Sequence, residues 1–74
     1  MYRIKDLRED NDISQRTVAS VIGTTQQQYS KIEKGISDIN GEKLILLAQY
    51  YNVSVDYILG LINEPKPLYQ KKHK

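Results

Sequence analysis

The chain has 74 residues, enough for one small domain, and a domain this small buries only about 60% of its unfolded surface. It is too short for most enzyme scaffolds, which need a cleft as well as a core. It has no cysteine, and its single histidine, His73, lies in a polar C-terminal stretch, which excludes disulfides, thiolate chemistry and most transition-metal sites. Residues 1–64 hold seven Lys and Arg and nine Asp and Glu, whereas residues 65–74 hold four Lys and no acid, so a surface for a polyanion would have to be local.

Apolar segments are short throughout the chain. None approaches the length of a signal-peptide core or of a membrane span. We therefore expect a cytoplasmic protein with no membrane partner. Because no Cys or His cluster is present, we also expect neither a metal nor another cofactor.

Glycines and short polar side chains divide residues 1–64 into short stretches with apolar residues at helical spacing and no proline. This pattern predicts an all-α chain. The predicted helices, in chain order, are 2–11, 15–22, 26–34, 41–51 and 55–60. The residues expected to cap their N-termini or to follow their C-termini are Ser14, Gly23, Thr25, Gly35, Asn40 and Ser54. In the loop after Gly35, Ile36 and Ile39 are predicted to anchor the chain to the core.

The third predicted helix has two different faces. Tyr29 and Ile32 lie together on a helical wheel and should face the core, with Glu33 at the border. The residues on the other side share an arc of about 140° and are all polar or cationic; they are Gln26, Gln27, Ser30, Lys31 and Lys34. Tyr51 and Tyr57, further along the chain, are predicted to lie in the core with their hydroxyls at the surface.

The polar face of this helix could read DNA bases. A Gln side chain can bond N6 and N7 of adenine together, and Lys can donate to O6 and N7 of guanine in the major groove. Gly23, between two short helices, supplies the tight turn that places such a helix against DNA. A polar stripe is also typical of a solvated helix face, and three consecutive Gln can form a neutral surface run, so the wheel alone leaves both interpretations open.

The order of several short motifs is a more specific signal than the helical wheel. They are Ser14-Gln15, Val18-Ala19, Gly23 and Ile32-Glu33-Lys34-Gly35. In this order the chain resembles the Cro/phage-repressor family of helix-turn-helix proteins, also called the xenobiotic-response-element family, over about residues 3–60. The resemblance implies a compact five-helix, lambda-repressor-like DNA-binding domain over residues 1–62. A basic tail, residues 63–74, should follow it and is predicted to be disordered.

The resemblance also implies roles for individual residues. Gln26, Gln27 and Lys31 match base-reading positions of the recognition helix. Gln15 and Lys34 match positions at the DNA backbone. Further residues are expected to support backbone contacts; they are Arg16, Thr25 and Ser30.

One pair of residues should have a structural role. Glu33 matches a glutamate of the family that pairs with an arginine of the first helix, and Arg8 stands at the matching position. We expect a salt bridge between them. The sequence departs from the family at Ile39, where proline is frequent, so the resemblance is a weaker guide to the loop before the fourth helix.

The leading hypothesis is a transcription regulator, a repressor, that binds a palindromic DNA operator as a homodimer. Tyr57, Leu61 and Ile62 are expected near the dimer contact. One alternative is an antitoxin or immunity module whose main partner is a protein, a toxin or a co-regulator, with DNA binding for autoregulation. Another is a protein-interaction domain without DNA binding. An enzyme is not expected, since no His or Cys base and no phosphate loop are present.

Overall fold

A computed structural model describes residues 2–64, and in this range it contains five helices and no strand. The helices are α1 (Ile4–Asp10), α2 (Gln15–Val21), α3 (Gln26–Glu33), α4 (Gly41–Tyr51) and α5 (Val55–Ile58). The predicted all-α, five-helix fold is therefore confirmed. The predicted α1 begins two residues too early, and the predicted α1, α2, α3 and α5 end one or two residues too late, where turns follow the helices. The disorder predicted for the tail concerns mainly residues 65–74, which lie outside the described range.

Local capping explains where the last four helices begin. In each of them the side-chain oxygen of the predicted cap accepts a hydrogen bond from a backbone N–H three residues later, a bond that a free helix end would lack. The cap and donor pairs are Ser14 and Thr17, Thr25 and Gln28, Asn40 and Lys43, and Ser54 and Tyr57. These four starts are thus set by residues that are close together in the sequence.

A glycine follows each of the helices α2 and α3. Gly23 and Gly35 have φ angles of 73° and 78°, in the left-handed region where a side chain would cause strain. After α3, the N–H of Gly35 bonds to the carbonyl of Ile32, and the N–H of Ile36 bonds to that of Lys31. This pair of bonds reverses the chain direction and leaves Ile36 70% exposed. The prediction that Ile36 anchors the loop is therefore wrong, whereas Ile39 does pack against the core.

One buried cluster joins all five helices. Its members are Ile4, Leu7, Val18, Ala19, Ile22, Tyr29, Ile32, Leu47, Ala48, Val53 and Ile58. Within it, α2 packs against α3 and also contacts α4. Because α3 buries its Tyr29 and Ile32 side in this cluster, its opposite side faces away from the rest of the domain.

Tyr51 differs from the prediction. Its hydroxyl is buried and has no hydrogen-bond partner in the described part of the chain, so it does not reach the surface. Burial raises the pKa of Tyr51 to about 12. The side chain therefore stays neutral at physiological pH.

Arg3 connects the beginning of the domain to its end. Its backbone N–H donates to the carbonyl of Ile58 at 2.8 Å, and its Nε donates to the carbonyl of Tyr57 at 3.0 Å. Its Nη2 donates to the carbonyl of Ile62 at 3.2 Å and to Oδ1 of Asn63 at 2.9 Å. The guanidinium also lies 4.6 Å from the centre of the Tyr57 ring, a cation–π distance. Arg3 thereby fixes the segment that follows α5, including Leu61, which is 71% exposed.

Residues 2–64 contain neither a helix that could span a membrane nor a side-chain cluster that could hold a metal ion. No helix there has the length and apolar character needed to cross a membrane. Nor does this range bring three or more His, Asp or Glu side chains together in a way that could hold a metal ion.

Candidate nucleic-acid interface

The polar face of α3 forms one wall of a shallow surface groove of about 450 Å³. Six predicted site residues line it, and none of them is acidic: Gln15, Gln26, Gln27, Ser30, Lys31 and Lys34. Five come from α3 and its C-cap, and Gln15 comes from the start of α2. The two glutamines that open α3, Gln26 and Gln27, are both exposed. The groove therefore offers amide, hydroxyl and ammonium groups on a single surface.

Two other predicted residues lie outside this groove. Arg16 is exposed on α2 but does not line the groove. Thr25 caps α3 by accepting the N–H of Gln28 at 3.1 Å, so its side chain supports the helix. The structure thus brings together six of the eight residues expected to contact DNA.

The predicted pair of Arg8 and Glu33 is present and joins α1 to α3. Nε of Arg8 donates to Oε2 of Glu33, and Nη2 donates to Oε1 at 3.1 Å. The Glu33 side chain is 3% exposed and that of Arg8 is 13% exposed. Nη1 of Arg8 also donates to the carbonyl of Ile13, at 3.0 Å, in the turn before α2. The two bonds between Arg8 and Glu33 fix the relative orientation of α1 and α3 as well as the distance between these helices.

Gln15 is part of the same network, which the sequence did not indicate. Its Nε2 donates to Oε1 of Glu33 at 3.0 Å. A Gln amide has two N–H donors and one acceptor oxygen, so this bond leaves one donor for a ligand. Glu33 therefore holds the side chain that is expected to meet the DNA backbone. Because the two residues are 18 positions apart, on different helices, no local sequence pattern could have revealed the bond.

Burial and charge act in opposite directions on Glu33. Burial raises the pKa of its carboxyl, but the hydrogen bonds and the positive charge of Arg8, together with the bond from Gln15, lower it more, to a value below the ordinary 4.5. The same hydrogen bonds raise the pKa of Arg8. The Tyr29 hydroxyl is buried and has no hydrogen-bond partner among residues 2–64; burial and the nearby carboxylate of Glu33 raise the pKa of Tyr29. At neutral pH the pair is thus fully charged and Tyr29 is neutral.

The lowered pKa of Glu33 makes folding stability depend on pH. A carboxyl with a lower pKa when folded than when unfolded stabilises the folded state fully above about pH 4.5, and this contribution disappears as the pH falls through the folded-state pKa. We expect the wild type to lose more free energy of unfolding between about pH 7 and about pH 3 than Glu33→Gln does. Urea titrations of both proteins at each pH measure this difference. Equal losses in the two proteins would contradict the assignment.

A second depression, of about 440 Å³, adjoins the groove on the α1 side. Its lining residues are Lys5, Arg8, Gln15, Glu33 and Lys34. Gln15 and Lys34 line both features, so the two are continuous. The sequence reasoning missed Lys5; the available signal was its position three residues before Arg8, which places both side chains on one face of α1.

Comparison with known proteins identifies the class of protein that this fold and groove define. A family model described as "Helix-turn-helix" matches residues 4–58, about three quarters of the chain. The chain belongs to this family, in its Cro/phage-repressor, or xenobiotic-response-element, type, a family of DNA-binding transcriptional regulators.

Several curated relatives share this part of the sequence. The uncharacterized HTH-type transcriptional regulator YobD of Bacillus subtilis is 35% identical over 71 residues, which cover 96% of this chain and 63% of YobD. The cryptic phage CTXphi transcriptional repressor RstR of Vibrio cholerae is 36% identical over 53 residues, 72% of this chain and 48% of RstR. The antitoxin PezA of Streptococcus pneumoniae is 33% identical over 57 residues, 77% of this chain and 36% of PezA.

The matches cover only part of these proteins. The chain spans less than two thirds of the length of each of the three relatives. No solved structure matches the chain at a significant level.

Proposed function

We propose that this protein is a transcriptional repressor that recognises a palindromic DNA operator as a homodimer, with α3 in the major groove. The observation that carries this proposal is the acid-free groove, in which base-reading and phosphate-binding chemistry share one surface. In this proposal residues 1–62 form the DNA-binding domain and residues 63–74 are a basic extension. In this proposal the protein acts in the cytoplasm.

The roles of the groove residues follow from their chemistry. Gln26 and Gln27, in the first turn of α3, read base edges, and two such amides favour adenines in each half-site. Lys31, one turn further, reads a guanine or a nearby phosphate. Lys34 and Gln15 border the groove and bind the backbone, which sets position and orientation but carries no sequence information. Ser30 supports the backbone contacts.

The homodimer follows from the size of the reading surface. One α3 helix contacts only a few base pairs, so a single domain has limited specificity. Two copies related by a two-fold axis would read two half-sites about one helical turn apart, which makes the operator palindromic. Leu61 is 71% exposed and follows α5, and the other two residues expected at the dimer contact, Ile62 and Tyr57, are half-buried. An exposed apolar group of this kind fits a contact between copies.

The similarity to PezA, which is named an antitoxin, favours a second candidate function. In that case the main partner would be a protein, a toxin or a co-regulator, and DNA binding would serve autoregulation. The groove residues would keep the same roles on DNA. The two functions differ in whether a protein partner binds when the groove has been disabled.

Selection of binding sites from random DNA at fixed salt tests the main proposal. We expect the wild type to enrich a two-fold-symmetric motif with adenines in each half-site. Gln27→Ala removes a two-bond base contact worth about 1–3 kcal/mol, so affinity should fall by about 5- to 150-fold per half-site and one base position should lose its preference. Salt is held constant because phosphate contacts depend strongly on it.

Gln49→Ala is the matched control, because Gln49 is an exposed glutamine on α4, outside the groove. It should select the same motif as the wild type with the same affinity. If the wild type enriched no motif, or if Gln49→Ala changed the motif as much as Gln27→Ala, the proposed reading surface would be wrong.

A further inference from the structure

The second depression has an unusual balance of charge. Three of its five lining residues are cations, one is an amide and one is a carboxylate. The carboxylate is that of Glu33, which is 3% exposed and accepts hydrogen bonds from Arg8 and Gln15. Arg8 balances the charge of Glu33 and also lies 3.9 Å from the exposed carboxylate of Glu9, which does not line the depression. The lining residues that remain without a balancing charge are two cations.

Those two cations are Lys5 and Lys34. Both are exposed, and neither forms an ion pair with any residue between 2 and 64. They belong to different elements, since Lys5 lies on α1 and Lys34 is the C-cap of α3. Two unpaired ammonium groups at one concave site repel each other, and an anion bound between them would relieve that repulsion.

Gln15 completes the chemistry of the site. Its bond to Glu33 fixes the amide at the border of the two depressions and leaves one N–H for a ligand. One amide donor and two lysines suit a singly charged oxyanion such as a phosphodiester, because Lys binds phosphate as a point charge without demanding a planar two-bond contact. Because the site continues the groove, a DNA strand lying along α3 would pass over it.

We propose that Lys5, Lys34 and Gln15 together bind one backbone phosphate of DNA, so that the interface extends beyond the helix-turn-helix onto α1. The inference rests on the proposed function and adds to it a contact residue on a helix outside the reading unit. Glu33 acts as a positioning residue, since it holds Gln15 without touching the phosphate.

The test compares Lys5→Gln with Lys43→Gln on the full chain. Lys43 lies on α4, outside both depressions, so the two variants lose the same charge at different places. The affinity for a random-sequence DNA duplex and for the selected operator is measured over a series of salt concentrations. Urea unfolding of each variant checks that the fold is intact.

We expect Lys5→Gln to reduce the slope of log affinity against log salt by about 0.9 per bound protomer, and to weaken binding roughly tenfold per bound protomer at about 0.1 M salt. The loss per bound protomer should be the same for both DNAs, because a phosphate contact carries no sequence information. Lys43→Gln should keep the wild-type slope.

Two other results would each overturn the inference. If the wild type binds DNA and Lys5→Gln has the same slope as Lys43→Gln, the phosphate site is wrong and the proposed function stands. If the wild type itself shows no salt-dependent binding to DNA, the proposed function fails, and this site fails with it.

Discussion

Replacing Arg8 with methionine will lower the free energy of unfolding by about 3–5 kcal/mol, because it leaves the carboxylate of Glu33 buried without its cation. Small domains have stabilities near the low end of about 5–15 kcal/mol, so the variant should retain only about 0–2 kcal/mol. Urea titration at neutral pH measures the effect. Arg16→Met is the matched control: Arg16 is exposed, so its loss should change the stability by less than about 0.5 kcal/mol.

A double variant separates loss of the pair from loss of packing. In Arg8→Met with Glu33→Leu, no buried charge remains, and apolar replacements of similar volume are often neutral or stabilising. We expect this double variant to recover most of the stability that Arg8→Met loses. If the double variant were as unstable as Arg8→Met, the packing of the arginine stem would be the main contribution instead.

Reversing the charge of Lys31 and Lys34 together, as Lys31→Glu with Lys34→Glu, should weaken DNA binding by more than about a hundredfold. Both side chains line the groove, so the change replaces attraction by repulsion at two points of the proposed DNA interface. Affinity for the selected operator at fixed salt measures the loss. The Lys43→Glu variant, changed outside the groove, should bind with affinity close to that of the wild type.

The variant Lys31→Glu with Lys34→Glu also distinguishes the two candidate functions. Both lysines are exposed, so the fold should persist, although two acids near the C-terminus of α3 cost about 0.3–1 kcal/mol each through the helix dipole. An antitoxin would keep its protein partner when it loses DNA. A regulator acting through DNA alone would have no partner to keep. Full DNA binding by the double variant would contradict the placement of the interface on α3.

The sequence predicted the parts of the fold that depend on neighbouring residues. Each of the four predicted N-caps accepts a hydrogen bond from an N–H three residues later, and Gly35 ends α3 through bonds to the helix that precedes it. Such interactions are readable because their partners have a fixed spacing. The resemblance to a family added the longer-range pair of Arg8 and Glu33, for which local spacing gives no signal.

The structural features that the sequence did not predict depend on contacts between distant residues. The bond from Gln15 to Glu33 and the position of Lys5 beside Lys34 become visible only when α1, α2 and α3 are packed together. Ile36 was misassigned for a related reason: its apolar side chain suggested burial, but the chain reversal at Gly35 turns it outward. Apolar character alone does not determine burial where a helix ends.

The attachment of Arg3 to Ile58 has a consequence for the order of assembly. The bond closes a loop of more than fifty residues, and the entropy lost in closing such a loop is about 3–4 kcal/mol. This entropy cost is offset only after the helices between the two residues have formed. Arg3 and Ile58 should therefore meet late in folding and separate early on warming. Early separation would release the segment that carries Leu61 while the groove on α3 is still intact. The proposed pairing of two copies through Leu61 would then be lost at a lower temperature than DNA binding by each single domain.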